Sequence, residues 1–310
     1  MTDVLTLRIG TRVSPLALHQ TERIVARLAA AAPHVRVEIT PVVTQGDRDR
    51  ATPLRALGGT GVFTDALRRA LVAREIDIAV HSLKDLPVDP DADVVLAAVC
   101  DRDDVRDALV SRARVPLADL PSGAHVGTCS TRRTAQLLAV RPDVRVGDVR
   151  GNVETRVRKV DDGEFDATIL AAAGLRRLGR QSAITEYLSL DEFLPAPGQG
   201  ALAVQCRAGD ARTQSVATML DEPDTRHATD AERAFLGALG GGCTAPVAAW
   251  AQIVRDGAGE RIAMRGVVAS LDGRRMIRVH GDDSPAAAAR LGARLADNAL
   301  ARGARELIDA

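Results

Sequence analysis

The feature that most constrains the fold is the stretch Ile76–Pro87, where a short apolar segment runs directly into a cluster of polar residues. The alternation of β-branched residues over Ile76–Val80 predicts a short strand. An imidazole, a hydroxyl, an ammonium and a carboxylate follow within five positions, on His81, Ser82, Lys84 and Asp85. Pro87 keeps a helix from starting directly behind them. Ligands of open α/β sheets bind at the carboxyl ends of strands, so the cluster is a candidate site, with an ordinary solvated loop as the alternative.

The lysine in this cluster is unusual for the chain. Only two of the 41 basic residues are lysines, Lys84 and Lys159, and all the others are arginines. Where arginine is so strongly favoured, a lysine beside Asp85 indicates that a compact point charge is required there. The composition therefore favours the functional interpretation of the cluster.

A second pattern places arginines where strands give way to helices. Val4–Ile9 alternates like a strand, and Arg12 follows it. Ser14 as N-cap and Pro15 at the first helical position predict a helix that runs to about Ala31. Since the N-terminal end of a helix dipole favours anions, a nearby arginine suggests a bound anion; a capped helix with a surface arginine is the alternative.

The same pattern occurs twice more, between residues 130 and 156. Ser130 precedes a predicted helix with Arg132 and Arg133 in its first turn, and Arg150 precedes one that carries Arg156. A cation costs stability at such an end unless an anion neutralises it. Three such ends predict a cleft for a polyanionic ligand, and carboxylates and phosphates both fit the guanidinium group.

The overall composition excludes several classes of function. Acidic and basic residues balance at 41 each, and aromatic residues make up 2% of the chain. We therefore expect neither nucleic-acid nor membrane binding. The N-terminus lacks the apolar core of a signal peptide, and no run is long enough to span a bilayer. We expect a cytoplasmic protein without a metal site, whose cysteines are reduced thiols without close pairing or metal-ligand spacing: Cys100, Cys129, Cys206 and Cys243.

The last third of the chain changes character. Pro195–Gly200 is typical of a crossover between domains, and Ala201–Cys206 predicts a strand that returns to the first sheet. Asp224 is predicted to cap a helix that runs to about Leu239, followed by glycines that leave Cys243 on a flexible loop. A free cysteine is usually a small buried hydrophobe, but this setting favours a reactive thiol. Three antiparallel strands are predicted to follow, at Val247–Val254, Arg261–Ser270 and Arg275–Gly281.

Six segments, in this order and nearly end to end, resemble the porphobilinogen deaminase family, also called hydroxymethylbilane synthase. They are Arg12–Ala17, His81–Pro87, Gly127–Arg133, Arg150–Arg156, Pro195–Gly200 and Gly241–Cys243. The resemblance implies an enzyme that joins four porphobilinogen molecules head to tail into hydroxymethylbilane and releases ammonia at each step. It also implies a dipyrromethane cofactor that is attached through a thioether to Cys243 and serves as a primer.

The resemblance also assigns roles to residues. Asp85 falls on the family's catalytic aspartate, which stabilises the positive charge that develops on loss of ammonia and shuttles protons. The cofactor-binding positions are Cys243, Lys84, Ser82, Ser130, Arg132, Arg133 and Arg156. The substrate-binding positions are Arg12, Ser14, Arg150, Arg177, Gln199 and Phe63. The arginines would bind the acetate and propionate groups of the pyrroles. No metal is implied.

The fold class that we expect is α/β, with two bilobal periplasmic-binding-protein-like α/β domains and a smaller C-terminal α+β domain with an antiparallel sheet. The predicted boundaries are 1–100 with 201–220, then 101–200, then 221–310, the last carrying the cofactor cysteine. Like the family, the chain is expected to be a monomer. It departs from the family at Ala56 and Thr60, where lysines are common, which leaves in doubt the contact that those lysines provide.

Two other classes of protein fit parts of the sequence. A non-catalytic bilobal carboxylate-binding protein would share the fold, but it predicts a secretion signal and gives Cys243 no role. The effector-binding part of a regulator would also share the fold, but no basic DNA-reading helix is evident. Under both alternatives the arginines would still bind a ligand, but Cys243 would have no role.

Overall fold

The computed structural model describes residues 5–44, 46, 61, 64–240, 242, 245–257 and 259–309. The predictions for Phe63, for Cys243 and for most of the loop 44–61 lie outside these residues. The chain divides into two compact units, a first unit of Met1–Arg102 with Ala201–Arg226 and a second unit of Asp103–Gly200 with His227–Ala310. The finer division into three domains with the boundaries given above stays a prediction.

The secondary structure alternates between strands and helices until about residue 240. The strands are β1 (Leu5–Arg12), β2 (Val35–Val42), β3 (Ile78–Ser82), β4 (Val94–Cys100), β5 (Asp107–Ser111), β6 (His125–Gly127), β7 (Arg145–Gly147), β8 (Ala167–Ala171), β9 (Glu186–Tyr187), β10 (Leu202–Arg207), β11 (Val247–Asp256), β12 (Gly259–Ala269) and β13 (Met276–Asp283). The helices are α1 (Pro15–Ala31), α2 (Asp65–Val72), α3 (Thr131–Val140), α4 (Val153–Asp161), α5 (Ala172–Arg177), α6 (Ala211–Ala217), α7 (Pro223–Ala238), α8 (Ala288–Ala301) and α9 (Ala304–Ile308).

The sheet of the first unit has the order β2-β1-β3-β10-β4 in the part of the chain that the structure describes. β1 pairs in parallel with both β2 and β3, while β10 is antiparallel to β3 and β4. Buried residues of β1 and α1, such as Ile9 and Ile24, form its core. The prediction that a later strand returns to the first sheet is confirmed by β10. Since β1 and β3 are parallel neighbours, the residues that follow them lie at one edge of the sheet.

Two predicted strand ends in this sheet are wrong. The first strand is predicted to end at Ile9, but β1 continues through Arg12, which pairs with Val42 of β2. The third is predicted to end at Val80, but β3 continues through His81 and Ser82. The reason is its pairing with β10, which matches His81 to Ala203 and Ser82 to Leu202. Only Leu83–Asp85 then leaves the sheet, as a single 3₁₀ turn.

The α/β part of the second unit repeats this plan with the sheet order β7-β6-β8-β5-β9. β6 pairs in parallel with β7 and β8, and β5 is antiparallel to β8 and β9. The predicted starts of two of its helices are confirmed, and a side chain caps each: the Ser130 hydroxyl accepts a hydrogen bond from the Arg133 amide at 3.4 Å, and the Asn152 side chain accepts one from the Thr155 amide at 2.8 Å. Helices α3, α4 and α5 all begin at the carboxyl edge of these parallel strands.

The C-terminal part of the second unit is the antiparallel sheet β11-β12-β13, as predicted. One face of this sheet packs on α7 and α8 through buried residues such as Phe235 and Leu291. A Cβ atom on Gly292 would lie 2.1 Å from the Ala231 carbonyl oxygen, so α8 needs a glycine there to approach α7. α7 begins at Pro223, so Asp224 lies in its first turn rather than at the predicted cap position. None of the described helices is both long and apolar enough to cross a membrane.

Candidate active site

The carboxyl edge of β1 and β3 brings Arg12 and Asp85 to the same side of the first sheet. Arg12 is the last residue of β1, and Asp85 ends the 3₁₀ turn behind β3. The backbone of this turn is fixed by a hydrogen bond from the Leu83 amide to the Ala201 carbonyl oxygen on the neighbouring chain segment, at 3.0 Å. Asp85 is half-buried, and its side chain makes no hydrogen bond or ion pair with any described residue. Both carboxylate oxygens are therefore available to a ligand.

Two serines at this edge are already oriented. The Gln20 amide nitrogen and the Ser82 hydroxyl lie 2.9 Å apart, and Gln20 is 4% exposed, so a buried amide holds the hydroxyl in place. The Ser14 hydroxyl accepts a hydrogen bond from the Ala17 amide at 3.3 Å and caps α1. The cap satisfies one of the free amides at the start of the helix, so the prediction for this helix start is confirmed. Lys84 is half-buried between Ser82 and Asp85 in the sequence.

His81 belongs to the sheet rather than to the reactive surface. It is 5% exposed, and its Nε2 atom has no hydrogen-bond partner among the described residues. Burial, together with the charge of Arg12, lowers the pKa of His81 to about 3, against a hydrogen bond with Gln205. The imidazole is therefore neutral at ordinary pH and does not supply a proton there.

The second unit concentrates its basic residues around a carboxylate that is completely buried. Asp107, the first residue of β5, has no exposed surface. Its two oxygens accept hydrogen bonds from Arg132 at 2.6 Å and from Arg133 at 2.8 and 3.1 Å. The Gln199 amide nitrogen donates a further hydrogen bond at 2.9 Å. Burial raises the pKa of Asp107, but the charges and hydrogen bonds of the two arginines outweigh it and hold the pKa well below its usual range.

This carboxylate explains how two cations tolerate the first turn of α3. Arg132 and Arg133 are 5% and 6% exposed, and Asp107 supplies the negative charge that the helix end requires. The expectation that only a bound anion could balance these arginines is therefore wrong, because the protein provides one. No pattern in the sequence indicated a role for Asp107.

The arginine pair retains donors for a second, external anion. Arg132 donates two hydrogen bonds to Asp107 and one to the Leu194 carbonyl oxygen. Arg133 donates two to Asp107 and one to the Ile169 carbonyl oxygen. A guanidinium group has five N–H donors, so about two remain on each arginine. Carboxylate arms of a dipyrromethane suit these donors, and the residues present fit that group.

The start of α4 adds two further arginines. The Nε atom of Arg156 donates a hydrogen bond to the Gly151 carbonyl oxygen at 2.9 Å, and an Nη atom lies 3.8 Å from the Cys129 sulfur. Burial lowers the pKa of Arg156, and the charges of Arg133 and Arg150 lower it further. Arg133, Arg150 and Arg156 are therefore close enough to influence one another, as the arginine pattern predicted. Such a concentration of positive charge favours a polyanionic ligand.

Arg177 and Gln199 are more deeply buried than their predicted roles suggest. Arg177, at the end of α5, is 5% exposed and donates a hydrogen bond to the Gly200 carbonyl oxygen at 2.6 Å. Gln199 has no exposed surface, and its amide nitrogen donates to the Val105 carbonyl oxygen at 2.8 Å as well as to Asp107. Both side chains fix the crossover segment Pro195–Gly200 against the second unit. Their part in substrate binding stays a prediction.

The fold is α/β, with a pair of buried arginines held by a carboxylate at the sheet edge of the second unit and a separate half-buried carboxylate at the sheet edge of the first. A family described as "Porphobilinogen deaminase, dipyromethane cofactor binding domain" matches residues 7–215, and "Porphobilinogen deaminase, C-terminal domain" matches residues 227–301. The chain belongs to the porphobilinogen deaminase family.

Individual relatives agree over almost their whole length. A porphobilinogen deaminase of Thermobifida fusca is 47% identical over 97% of this chain and 95% of its own. One of Xanthomonas campestris pv. campestris is 46% identical over 98% of each chain. Among solved structures, a TRAP periplasmic solute binding protein from Pseudomonas putida F1 overlaps 70% of this chain and 78% of its own, at 10% identity and a TM-score of 0.41.

Proposed function

We propose that this chain joins four porphobilinogen molecules head to tail into hydroxymethylbilane and releases one ammonia for each molecule added. The observation that carries the proposal is the pair of guanidinium groups on Asp107, each with about two donors left, because a primer built from pyrroles with acidic arms requires prearranged carboxylate receptors. Membership of the family supports it further. We further propose that the chain is a monomer and that it works in the cytoplasm, where reduced thiols such as the three free cysteines among the described residues persist.

Asp85 is the catalytic residue of this proposal. A carboxylate without a partner among the described residues can accept hydrogen bonds from the N–H groups of a pyrrole and orient the ring. When the amino group of the substrate leaves as ammonia, positive charge develops on the ring system, and a fixed carboxylate stabilises that charge. Asp85 also moves protons, to the departing amine and from the ring carbon that forms the new bond. Lys84 and Ser82, on either side of Leu83, would bind acidic arms of the ligand.

The arginines bind and orient rather than react. Arg132, Arg133 and Arg156, with Ser130, would hold the carboxylates of a dipyrromethane cofactor. Arg12, Ser14, Arg150, Arg177, Gln199 and Phe63 would bind substrate. When bound, the cofactor supplies an acceptor ring carbon that stays tethered to the protein through Cys243. A thiol is suited to this attachment because the thiolate is a soft nucleophile.

Intact-protein mass spectrometry tests the cofactor assignment. We expect the isolated protein to carry a covalent increment of two pyrrole units, and we expect the increment to be absent from Cys243→Ser. Cys129→Ser is the matched control, since Cys129 is a half-buried thiol of the described chain, and it should keep the increment. A fully active protein without any increment would contradict the proposal.

The substrate-binding assignment is tested separately. Arg150→Ala and Arg156→Ala should accumulate enzyme-bound species with few pyrroles, visible as discrete bands on native gels. Arg158→Ala, on the same helix as Arg156, is the control and should show the normal distribution. Normal product formation by all three variants would contradict the binding assignment. The alternative of a non-catalytic carboxylate-binding protein predicts no turnover by any of them.

A further inference from the structure

The C-terminal sheet presents functional side chains on the face that its helices leave uncovered. Residues of one face of β12, including Ile262, Met264 and Val268, pack into the core with α7 and α8. The alternate residues belong to the other face, and strand pairing aligns three of them in a row across the sheet: Trp250, Arg265 and His280.

Arg265 is the centre of this row. Its guanidinium carbon lies 4.9 Å from the centroid of the Trp250 ring, in a cation–π contact. One of its Nη atoms lies 2.7 Å from a carboxylate oxygen of Asp191. The side chain of Asp191 is 84% exposed. An ion pair this exposed contributes little stability, so a ligand carboxylate can replace Asp191 at small cost.

A cavity of about 490 Å³ opens beside Arg265. This volume lies in the range of small-molecule sites. Leu190, Leu194 and Val267 supply apolar surface, while Arg278 and Arg302 supply charge. Arg302 is fixed by a hydrogen bond to the Arg278 carbonyl oxygen at 2.7 Å. The cavity thus combines an apolar wall with guanidinium groups at its rim.

The charges of this cavity are not balanced by the protein. Among the described residues, neither Arg278 nor Arg302 has a carboxylate within ion-pair distance, and Asp191 is the single acid that lines the cavity. Three arginines therefore face one aspartate, in a chain whose overall charge is zero. Such a local excess attracts an anion, and the guanidinium group suits carboxylates in particular.

We propose that this cavity is a second binding site, built from residues that the proposed active site does not use, for a planar organic anion with two carboxylates. Arg278 and Arg302 bind one carboxylate of the ligand. The second carboxylate replaces Asp191 as the partner of Arg265, and the apolar wall packs against the ring. The cavity adjoins the arginine pair of the second unit, because the carbonyl oxygen of Leu194 accepts a hydrogen bond from Arg132 at 2.7 Å.

The chain contains its own reporter for this site. Trp250 is its only tryptophan and contacts Arg265, so a ligand that moves Arg265 changes the Trp250 fluorescence. The probe is benzene-1,2-dicarboxylate, titrated into the full-length holoenzyme, and we expect a saturable change. Arg278→Gln should raise the dissociation constant about tenfold or more, because a charge-assisted hydrogen bond is lost. Arg278 is exposed, so the variant should fold as the wild type does.

Two controls make the test decisive. Arg274→Gln removes an arginine of the turn between β12 and β13 whose side chain is 87% exposed and lies outside the cavity, and it should leave the dissociation constant unchanged. Inorganic phosphate, titrated alone, should bind much more weakly than the ring dicarboxylate. The proposal is overturned if the fluorescence change does not saturate, if both variants weaken binding equally, or if phosphate binds as well as the probe. Because no step of the test measures turnover, its failure leaves the proposed function untouched.

Discussion

The two sheet edges that carry the predicted site treat their carboxylates in opposite ways. In the first unit, Asp85 lies half-buried on a single turn and makes no bond to a described residue. In the second unit, Asp107 is completely buried and is bound by Arg132, Arg133 and Gln199. Under the proposed function, the carboxylate that reacts is the one left available, and the one that positions other groups is saturated. The comparison separates chemistry from binding within one chain.

The two arrangements also have different structural requirements. A buried carboxylate with two guanidinium groups is tolerated only when its hydrogen bonds are complete, as they are for Asp107. An available carboxylate on a short turn needs a rigid backbone instead, and the hydrogen bond from Leu83 to Ala201 supplies it. The two edges therefore predict different consequences when the same chemical change, Asp to Asn, is made in each.

The largest effect is expected for Asp85→Asn. An amide cannot stabilise a developing positive charge or accept a proton, so turnover should fall by about a thousandfold or more. Steady-state assays with porphobilinogen measure this, and thermal unfolding should be unchanged. Asp89→Asn is the matched control, an exposed aspartate in the following loop, and it should remain active. Near-normal turnover by Asp85→Asn would remove that residue from the mechanism.

Asp107→Asn should act on stability first. Removing the charge leaves Arg132 and Arg133 buried without their partner, which should lower the free energy of unfolding by about 3–5 kcal/mol. Denaturant titration followed by circular dichroism measures the change. Glu164→Gln breaks a more exposed pair with Lys159 and should cost no more than about 1 kcal/mol. Equal stability of the two variants would contradict the structural role of Asp107.

The two edges should also contribute to the pH dependence of stability in different pH ranges. The pKa of His81 is about 3 in the folded protein and roughly 6.5 in an unfolded chain. As the pH falls from about 6.5 towards 3, the unfolded chain takes up a proton that the folded protein does not, so the free energy of unfolding decreases by about 5 kcal/mol at most. His81→Gln should flatten this part of the profile, and the exposed His34→Gln should not.

Asp107 contributes in a lower pH range. Its pKa is depressed in the folded protein, so its contribution is complete above the ordinary carboxyl pKa of about 3.9 and is lost as the pH falls below it. In Asp107→Asn this acid-side loss should disappear while the part due to His81 remains. A profile in which both variants change the same pH range would contradict the assignment.

The smallest effects on stability are expected at the helix N-caps, which occur at both edges. Ser14→Ala and Asn152→Ala each remove an acceptor for an amide in the first turn, and each should cost about 1 kcal/mol of unfolding free energy. The exposed Ser182→Ala caps no helix and should have little effect on the free energy of unfolding. Caps that prove neutral would mean that bound ligand, rather than the side chain, satisfies these amides.

Local signals predicted the parts of the fold that local chemistry decides. Ser14 and Pro15 set the start of α1, and Ser130 and Asn152 set the starts of α3 and α4, because a cap needs only neighbouring residues. The end of β3 was misplaced because His81 and Ser82 pair with β10, which is distant in the sequence. Asp107 was missed for the same physical reason: its burial and its partners arise from tertiary packing.

The assignments of individual residues had another source. From the residues alone, the arginines indicated only a polyanion, with carboxylate and phosphate equally suitable. The resemblance to a family supplied the pyrrole ligand, the thioether at Cys243 and the role of Asp85. What the structure adds is the internal partner of Arg132 and Arg133, which changes the expected effect of substitutions around them.

The separation of chemistry from binding can be tested most directly by comparing the intact masses of Asp85→Asn and Asp107→Asn, each purified as folded protein. The account predicts that Asp85→Asn carries the increment of two pyrrole units although it turns over poorly, and that Asp107→Asn, with its arginine pair disordered, lacks the increment. An Asp85→Asn protein without the increment, or an Asp107→Asn protein that carries it in full, would contradict the account.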